Sequence, residues 1–222
     1  PEPIEPFRNS KVIKGKAFSL IRDFNFYLMP SQISYRIDLY RHYNEIQTRN
    51  VSNPNVIIPR TFDKDFKMNR YFDLRYNLTR SFDLDFSSQM TSRIDEPEGR
   101  INRHDDDYTW KRDSIITNLL RLGRPVLYHH VINANYQVPI SKFPLLDWTS
   151  LSARYQAMYD WAAGAIINKS VVLGNTIENS RQDQLNGQLN LVTLYNKVGF
   201  LREINQKYGT SSRMQRMGQN RQ

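Results

Sequence analysis

A chain of 222 residues, 39% of them hydrophobic and 12% aromatic, has enough apolar mass for one large domain or two small ones. Its net charge of +9 is spread among interleaved acids and bases (Arg22-Asp23, Asp63-Lys64-Asp65, Lys111-Arg112-Asp113), so the single basic stripe that nucleic acid binding needs does not emerge. Cysteine is absent, which removes disulfides and thiolate metal sites, and the longest apolar run, Trp161 to Ile167, falls far short of the ~20 residues of a helical membrane span.

The chain opens at Pro1 without a signal segment, as a mature or excised piece would. Residues 1–17 carry Pro and Lys without a period and are expected to form a linker or loop. From Phe18 the residues alternate, with Phe18, Leu20, Phe24, Phe26 and Leu28 against Ser19, Asp23 and Asn25, the two-residue period of a strand. Met29-Pro30-Ser31-Gln32 is expected to turn the chain so that Leu28 opposes Ile33, and Ile33, Tyr35, Ile37 and Leu39 extend the same apolar face. Arg22 is out of step. At the centre of a bilayer it would cost ~2–4 kcal/mol, so its expected place is a membrane edge or a bulge.

Tyr43 to Lys64 is polar, contains Pro54 and Pro59, and reads as a long loop. The stretch from Phe66 to Thr91 then holds the strongest pattern in the chain. Phe72, Leu74, Tyr76, Leu78, Phe82, Leu84, Phe86 and Met90 take even positions, and Asp73, Arg75, Asn77, Asp83 and Asp85 take odd ones. Strand side chains alternate between faces, so one face is aromatic and aliphatic and the other hydrated. A turn around Thr79 to Ser81 pairs Leu78 with Phe82, Tyr76 with Leu84 and Leu74 with Phe86 in a hairpin of strands roughly ten residues long, the span of a tilted transmembrane strand.

Arg93 to Arg124 is a second long connection with a short helix, started by Asp113, made apolar by Ile115, Ile116, Leu119, Leu120 and Leu122, and stopped at Gly123-Arg124-Pro125. Alternation resumes over Tyr128 to Ile140 and, after a Pro- and Trp-bearing turn, over Leu151 to Trp161. Ala163 to Glu178 is the third long connection, and Leu185, Gly187, Leu189, Leu191 and Tyr195 mark a last strand. Residues 197–222 form a basic end, with a short helix over Phe200 to Tyr208 and a disordered tail.

Connections that alternate short and long, with aromatics at strand ends (Phe18, Tyr128, Tyr159, Trp161), match outer-membrane barrels, which have tight turns on one side and long loops on the other. The expected fold is all-β: an antiparallel up-and-down transmembrane β-barrel segment of about seven strands over residues 18–196. Unpaired strand edges are not tolerated in lipid, so the segment is expected to be part of a larger wall.

The water-facing set Asp73, Arg75, Asn77, Asp83, Asp85, Asn133, Asn135, Gln137, Arg154 and Asp160 is the candidate lining of a hydrated passage. Its mixed signs and amides offer no apolar patch or single-sign field to which a passing protein would stick. Two other classes compete. A barrel hydrolase could use His130 beside Ser150 or Ser152, but nothing fixes them as a triad and an interfacial histidine at a strand start is the plainer reading. A soluble β-rich binding scaffold would use the aromatic face as its core. His129 and His130 point to opposite faces and cannot share a metal. His104-Asp105-Asp106-Asp107 lacks the spaced ligands and glycine of a calcium loop and reads as a charged loop tip. No catalytic, cofactor or metal residue is assigned.

Several long runs add a resemblance. Lys14 to Asn25 (KGKAFSLIRDFN), Leu28 to Arg36 (LMPSQISYR), Arg93 to Pro97 (RIDEP), Leu122 to Pro125 (LGRP), Phe143 to Trp148 (FPLLDW) and Leu173 to Gln182 (LGNTIENSRQ) closely resemble, in the same order, part of the SprA/Sov family. The resemblance covers all but the C-terminal end. It implies a stretch of the very large outer-membrane β-barrel that forms the translocon of the type 9 secretion system, which exports folded cargo to the cell surface and is needed for gliding motility. It also implies partners: the remainder of the barrel, the secreted cargo, a plug protein, an isomerase-like subunit and a lipoprotein, none of which maps onto particular residues here.

Overall fold

A computed structural model describes residues 2–8, 19–53, 55–143, 145–164, 166–168, 171–172 and 174–204. Six strands follow one another as neighbours in a single antiparallel sheet: β1 (Gln32–Ile46), β2 (Thr61–Thr79), β3 (Phe82–Arg93), β4 (Arg124–Val138), β5 (Thr149–Ala162) and β8 (Thr176–Leu189). A separate small pair, β6 (Ile166–Asn168) and β7 (Val171–Val172), lies in the connection between β5 and β8. The helices are short: α1 (Ser19–Arg22), α2 (Tyr108–Leu120) and α3 (Leu191–Tyr195). The all-β, up-and-down expectation holds at this level. The sheet is open among the described residues, because β1 and β8 do not pair with each other.

Register follows the alternation. Leu74 lies opposite Phe86 and Tyr76 opposite Leu84, as the period requires. The expected Leu78–Phe82 pair does not form: an irregularity between Asn77 and Thr79 sets Thr79 opposite Phe82, and only Arg80 and Ser81 make the turn. Connections 47–60, 94–123 and 163–175 leave one end of the sheet, and 80–81 and 139–148 leave the other. Long and short connections therefore sort to opposite ends.

Several expected boundaries move. The loop read over Tyr43 to Lys64 is partly ladder, since β1 and β2 stay paired out to Ile46 and Thr61, and Arg60 reaches back to Glu45 at 2.6 Å. Their outer turns alternate weakly because Tyr43, Asn44, Asp63 and Lys64 are all polar or amphipathic, so composition hid them. The last strand begins at Thr176 and ends at Leu189, and Leu191 to Tyr195 is helix, with Asn190 Oδ1 accepting from the Thr193 N–H at 3.1 Å.

The strand expected from Phe18 to Leu28 is absent. Phe18 lies outside the described residues, Ser19–Arg22 is one helical turn, and only Phe26 makes a bridge, to Ile4. Asn25 is the cause: it is buried, its amide donates to the Asp23 carbonyl at 2.9 Å, and its Oδ1 accepts from the Arg80 N–H at 2.8 Å. Pro30 has no N–H for the ladder, so β1 starts only at Gln32, although Tyr27 and Ser31 still donate to the Leu78 and Arg75 carbonyls. Arg22 ends α1 outside the sheet, not in a strand bulge, and pairs with Asp23 at 3.1 Å.

This N-terminal segment lies across the short-turn end of the sheet. Arg80 reaches Glu5 at 2.6 Å, Lys142 reaches Asp23 at 3.3 Å, and the Tyr76 hydroxyl donates to the Tyr27 carbonyl at 2.9 Å. The Arg22 hydrogen bond, then Lys142, holds the Asp23 carboxyl below its usual range, and Arg8 and then Arg80 do the same for Glu5. Lowered carboxylate values mean that these contacts are fully present above the ordinary carboxylate range and disappear as pH falls through the depressed values. Acidification below pH ~4 should therefore increase hydrogen exchange at Phe26, Tyr27 and Ser31 while the β2–β3 ladder stays protected.

The core is small and sits at the other end. Phe66, Met68 and Ile94 are the buried hydrophobic residues among those described, and Ile115 and Leu119 of α2 pack on them. The helix starts at Tyr108 after Asp107, not at Asp113, which pairs with Arg112 on the second turn. Ile116, Leu120 and Leu122, expected on the packed face, are exposed.

Candidate functional site

All ten residues proposed as a hydrated lining fall on one face of β2 to β5, in continuous rows. One row runs Arg75, Asp85, Asn133, Gln156, Gln182; the next runs Asn77, Asp83, Asn135, Arg154, Gln184; Gln137 lies opposite Ser152, and Asp73 opposite Ser87. The polar positions are odd-numbered on β2 to β4 and even-numbered on β5, and the pairings align the two sets along these rows. Arg75 Nε donates to Asp85 Oδ1 at 3.0 Å and Arg154 Nε to Asn135 Oδ1 at 2.9 Å, both in the open. Such exposed contacts contribute at most about 1 kcal/mol each, and only the Arg75–Asp85 pair neutralises charge.

Near the turn end, Arg80, Asp83, Asn135, Gln137, Ser152, Arg154 and Asn186 line a shallow hollow of about 270 Å³. Toward the long-loop end, Asp160 lies opposite His129 and Glu178, with His129 Nδ1 at 2.6 Å from Asp160 Oδ1. The lining set omitted His129, Gln156 and Asn186, although alternation gives them the same side, and sequence reading missed the β8 contribution of Glu178, Gln182 and Gln184. The run from Thr176 to Gln184 holds one apolar residue, so periodicity could not reveal the strand. The face is not wholly polar: Tyr71, Leu127, Val131 and Met158 interrupt it.

The opposite face carries Phe72, Leu74 and Tyr76 of β2, Phe82, Leu84 and Phe86 of β3, Ile132, Ala134 and Tyr136 of β4, and Ala153, Tyr155, Ala157 and Tyr159 of β5. Their rings touch: Phe72 to Phe86 at 6.0 Å, Phe82 to Tyr136 at 6.0 Å, Tyr128 to Tyr159 at 6.1 Å. None of these side chains is buried. Among the described residues the apolar face therefore stands as a single layer with no second sheet against it.

Three features break the face. Arg70 lies on it, and its guanidinium turns toward the long-loop end, donating to Ser92 Oγ at 3.0 Å. His130 sits within β4, not at a strand start, stacked on Tyr159 at 5.2 Å and beside Phe86 at 5.7 Å. Ser150 and Ser152 point to the other face at the other end of the strand pair, so the hydrolase arrangement is not brought together. Finally β8, expected to be greasy on this side, puts Asn179, Arg181 and Asp183 in line with Tyr159, Ala157 and Tyr155, and only Ile177, Leu185 and Leu189 keep the pattern. Comparison of the chain with protein-family models and with curated proteins finds no match.

Proposed function

We propose that the sheet is a stretch of an outer-membrane barrel wall, with the Phe72–Leu84–Tyr155 face toward lipid and the Asp73–Asn135–Arg154 face toward a water-filled passage for protein export. The observation that carries this reading is the combination of an uncovered apolar face over four adjacent strands with in-register polar rows behind it. In water, leaving so many aromatic and aliphatic side chains in one unpacked layer forgoes ~25 cal/mol for every Å² left unburied. Hydrocarbon removes that deficit without a second protein layer. The sorting of long and short connections to opposite ends supports the same orientation. Edges β1 and β8 then pair with further strands, since open ladders are excluded from lipid.

In this reading transport is passive. Mixed charges and amides hold water on the passage side, and cargo crosses a surface that offers it little to bind. The resemblance to the type 9 secretion translocon supplies the rest of the proposal: export of folded cargo to the cell surface in support of gliding motility, with plug, isomerase-like and lipoprotein subunits as partners. One observation favours the rival soluble scaffold, namely the seat of α2 on Phe66 and Met68. That helix covers the rim of the apolar face and leaves the rest open.

Neighbouring residues of β4 test the assignment. With Asn135→Cys and Ala134→Cys in intact cells, a membrane-impermeant thiol reagent should label the first several-fold faster than the second. Preferential labelling of Ala134→Cys would reverse the facing, and equal labelling of both would remove the membrane from the account.

A further inference from the structure

The connection 94–123 does not project away from the sheet but folds down on its apolar side. Arg41 and Lys64 belong to that side by parity, at the long-loop end, where bare charges would meet the membrane. The connection encloses both. Glu96, its side chain only 2% exposed, takes Arg41 in a two-pronged contact at 2.6 and 2.9 Å, and the Lys64 ammonium donates to the carbonyls of Pro97 and Gly99. Lys111 of α2 is held the same way, by Asp107 and the Arg100 carbonyl, both at 2.7 Å.

Helix α2 completes this cover. Its inner side, Ile115 and Leu119, sits on Phe66, Met68 and Ile94. Its outer side nonetheless keeps large apolar residues, with Trp110 64% and Leu120 77% exposed and Ile116 between them. Asp113, on the same side, is neutralised by Arg112 at 2.8 Å. A helix with apolar groups on two opposed sides fits between two apolar neighbours, and the sheet is only one of them.

We propose that the connection is a collar on the lipid side of the wall, and that α2 lies in the membrane interface with Trp110 and Leu120 inserted at headgroup depth. The proposal rests on the wall reading above. From Phe66 to Tyr76 the strand advances roughly 33 Å, which becomes about 25 Å across the bilayer at a tilt of ~40°. That is the height of an apolar band, so the row of Phe66 and Met68 marks one rim when Tyr76 marks the other. A helix is ~10 Å thick, so one resting on that rim turns its far side to lipid and not to the passage. Tryptophan on a short helix lying in the interface plane is the arrangement that the headgroup region favours.

The test uses the protein reconstituted in phosphatidylcholine vesicles, with a nitroxide placed by Leu120→Cys, by Leu84→Cys as wall reporter and by Asn135→Cys as passage reporter. Leu120 is exposed, so its replacement leaves the inner packing of α2 intact. Collision with oxygen over collision with a water-soluble nickel chelate should be several-fold higher at Leu120 and at Leu84 than at Asn135. A Leu120 label that favours nickel, or one shielded from both reagents by another protein, overturns the collar. A Leu84 label that favours nickel overturns the wall itself. The two failures are distinguishable because Leu84 lies near the short-turn end, away from α2.

Discussion

Phe86→Arg is expected to cost about 2 kcal/mol and to impair assembly into the outer membrane, while Ser87→Arg, one residue along the same strand, should change stability by less than about 0.5 kcal/mol. Phe86 packs near Phe72 and His130 on the apolar face, and Leu74 and Ile132 lie opposite it on the two neighbouring strands. A guanidinium there would stand inside the apolar band, one side-chain pair in from the Tyr76–Leu84 rim, and would have to stretch past that row to reach water. Ser87 points the other way, exposed, with Asp73 directly opposite on β2 to receive the new charge. The contrast matters more than either value. On a soluble sheet wetted on both faces, Phe86 is already partly exposed and the two substitutions should differ by only about 1 kcal/mol, the lost ring contacts. Heat-modifiable electrophoretic mobility and protease protection of the assembled protein read the effect.

Gly123→Ala is the second large effect, at about 3 kcal/mol. Gly123 has φ +66°, in the left-handed region, and a Cβ there would stand 2.6 Å from Ile94 Cδ1 and 2.7 Å from the Arg93 carbonyl oxygen. The left-handed backbone accounts for ~1–2 kcal/mol. Crowding against a buried side chain and a strand carbonyl, which cannot rotate away, adds roughly 1–2 kcal/mol. Gly123 also closes α2, its N–H donating to the Asn118 carbonyl at 2.9 Å, so the damage should fall on the collar. Hydrogen exchange in α2 should rise by about two orders of magnitude at constant temperature, while the β4–β5 ladder remains protected. Gly174→Ala is the matched control: nothing lies within 4 Å of a Cβ at that position, and no change is expected. Equal sensitivity at both glycines would remove the steric account.

The parts of this fold that could be read before any coordinates were those governed by the two-residue period. Parity alone placed Tyr76 opposite Leu84 and Leu74 opposite Phe86, and it grouped the ten polar residues on one face, because a slip of one residue would have reversed every side chain. Parity failed where something other than the pleat decided the backbone. From Phe18 to Leu28 the alternation is real in the sequence, yet the buried Asn25 ties that segment to the β2–β3 turn and Pro30 withholds a ladder donor. At Thr176 to Gln184 the reverse holds: no alternation is present, yet a strand forms, because β5 offers a full row of backbone partners. The helix was legible in kind but not in extent. Its seat on Phe66 and Met68 is a long-range contact that no local pattern encodes. Of the candidate site, the rows on β2 to β5 were legible; their continuation onto β8 and the His129–Asp160 contact were not.

The wall requires hydrocarbon against Phe82, Leu84 and Phe86. A density map of the protein in a lipid nanodisc measures this directly: acyl-chain density should run along these side chains and stop near Tyr128 and Trp161, with water or cargo behind Asp83 and Asp85. Density for a second sheet or a helical layer packed over Phe82, Leu84 and Phe86, or bulk solvent on both faces, would contradict it.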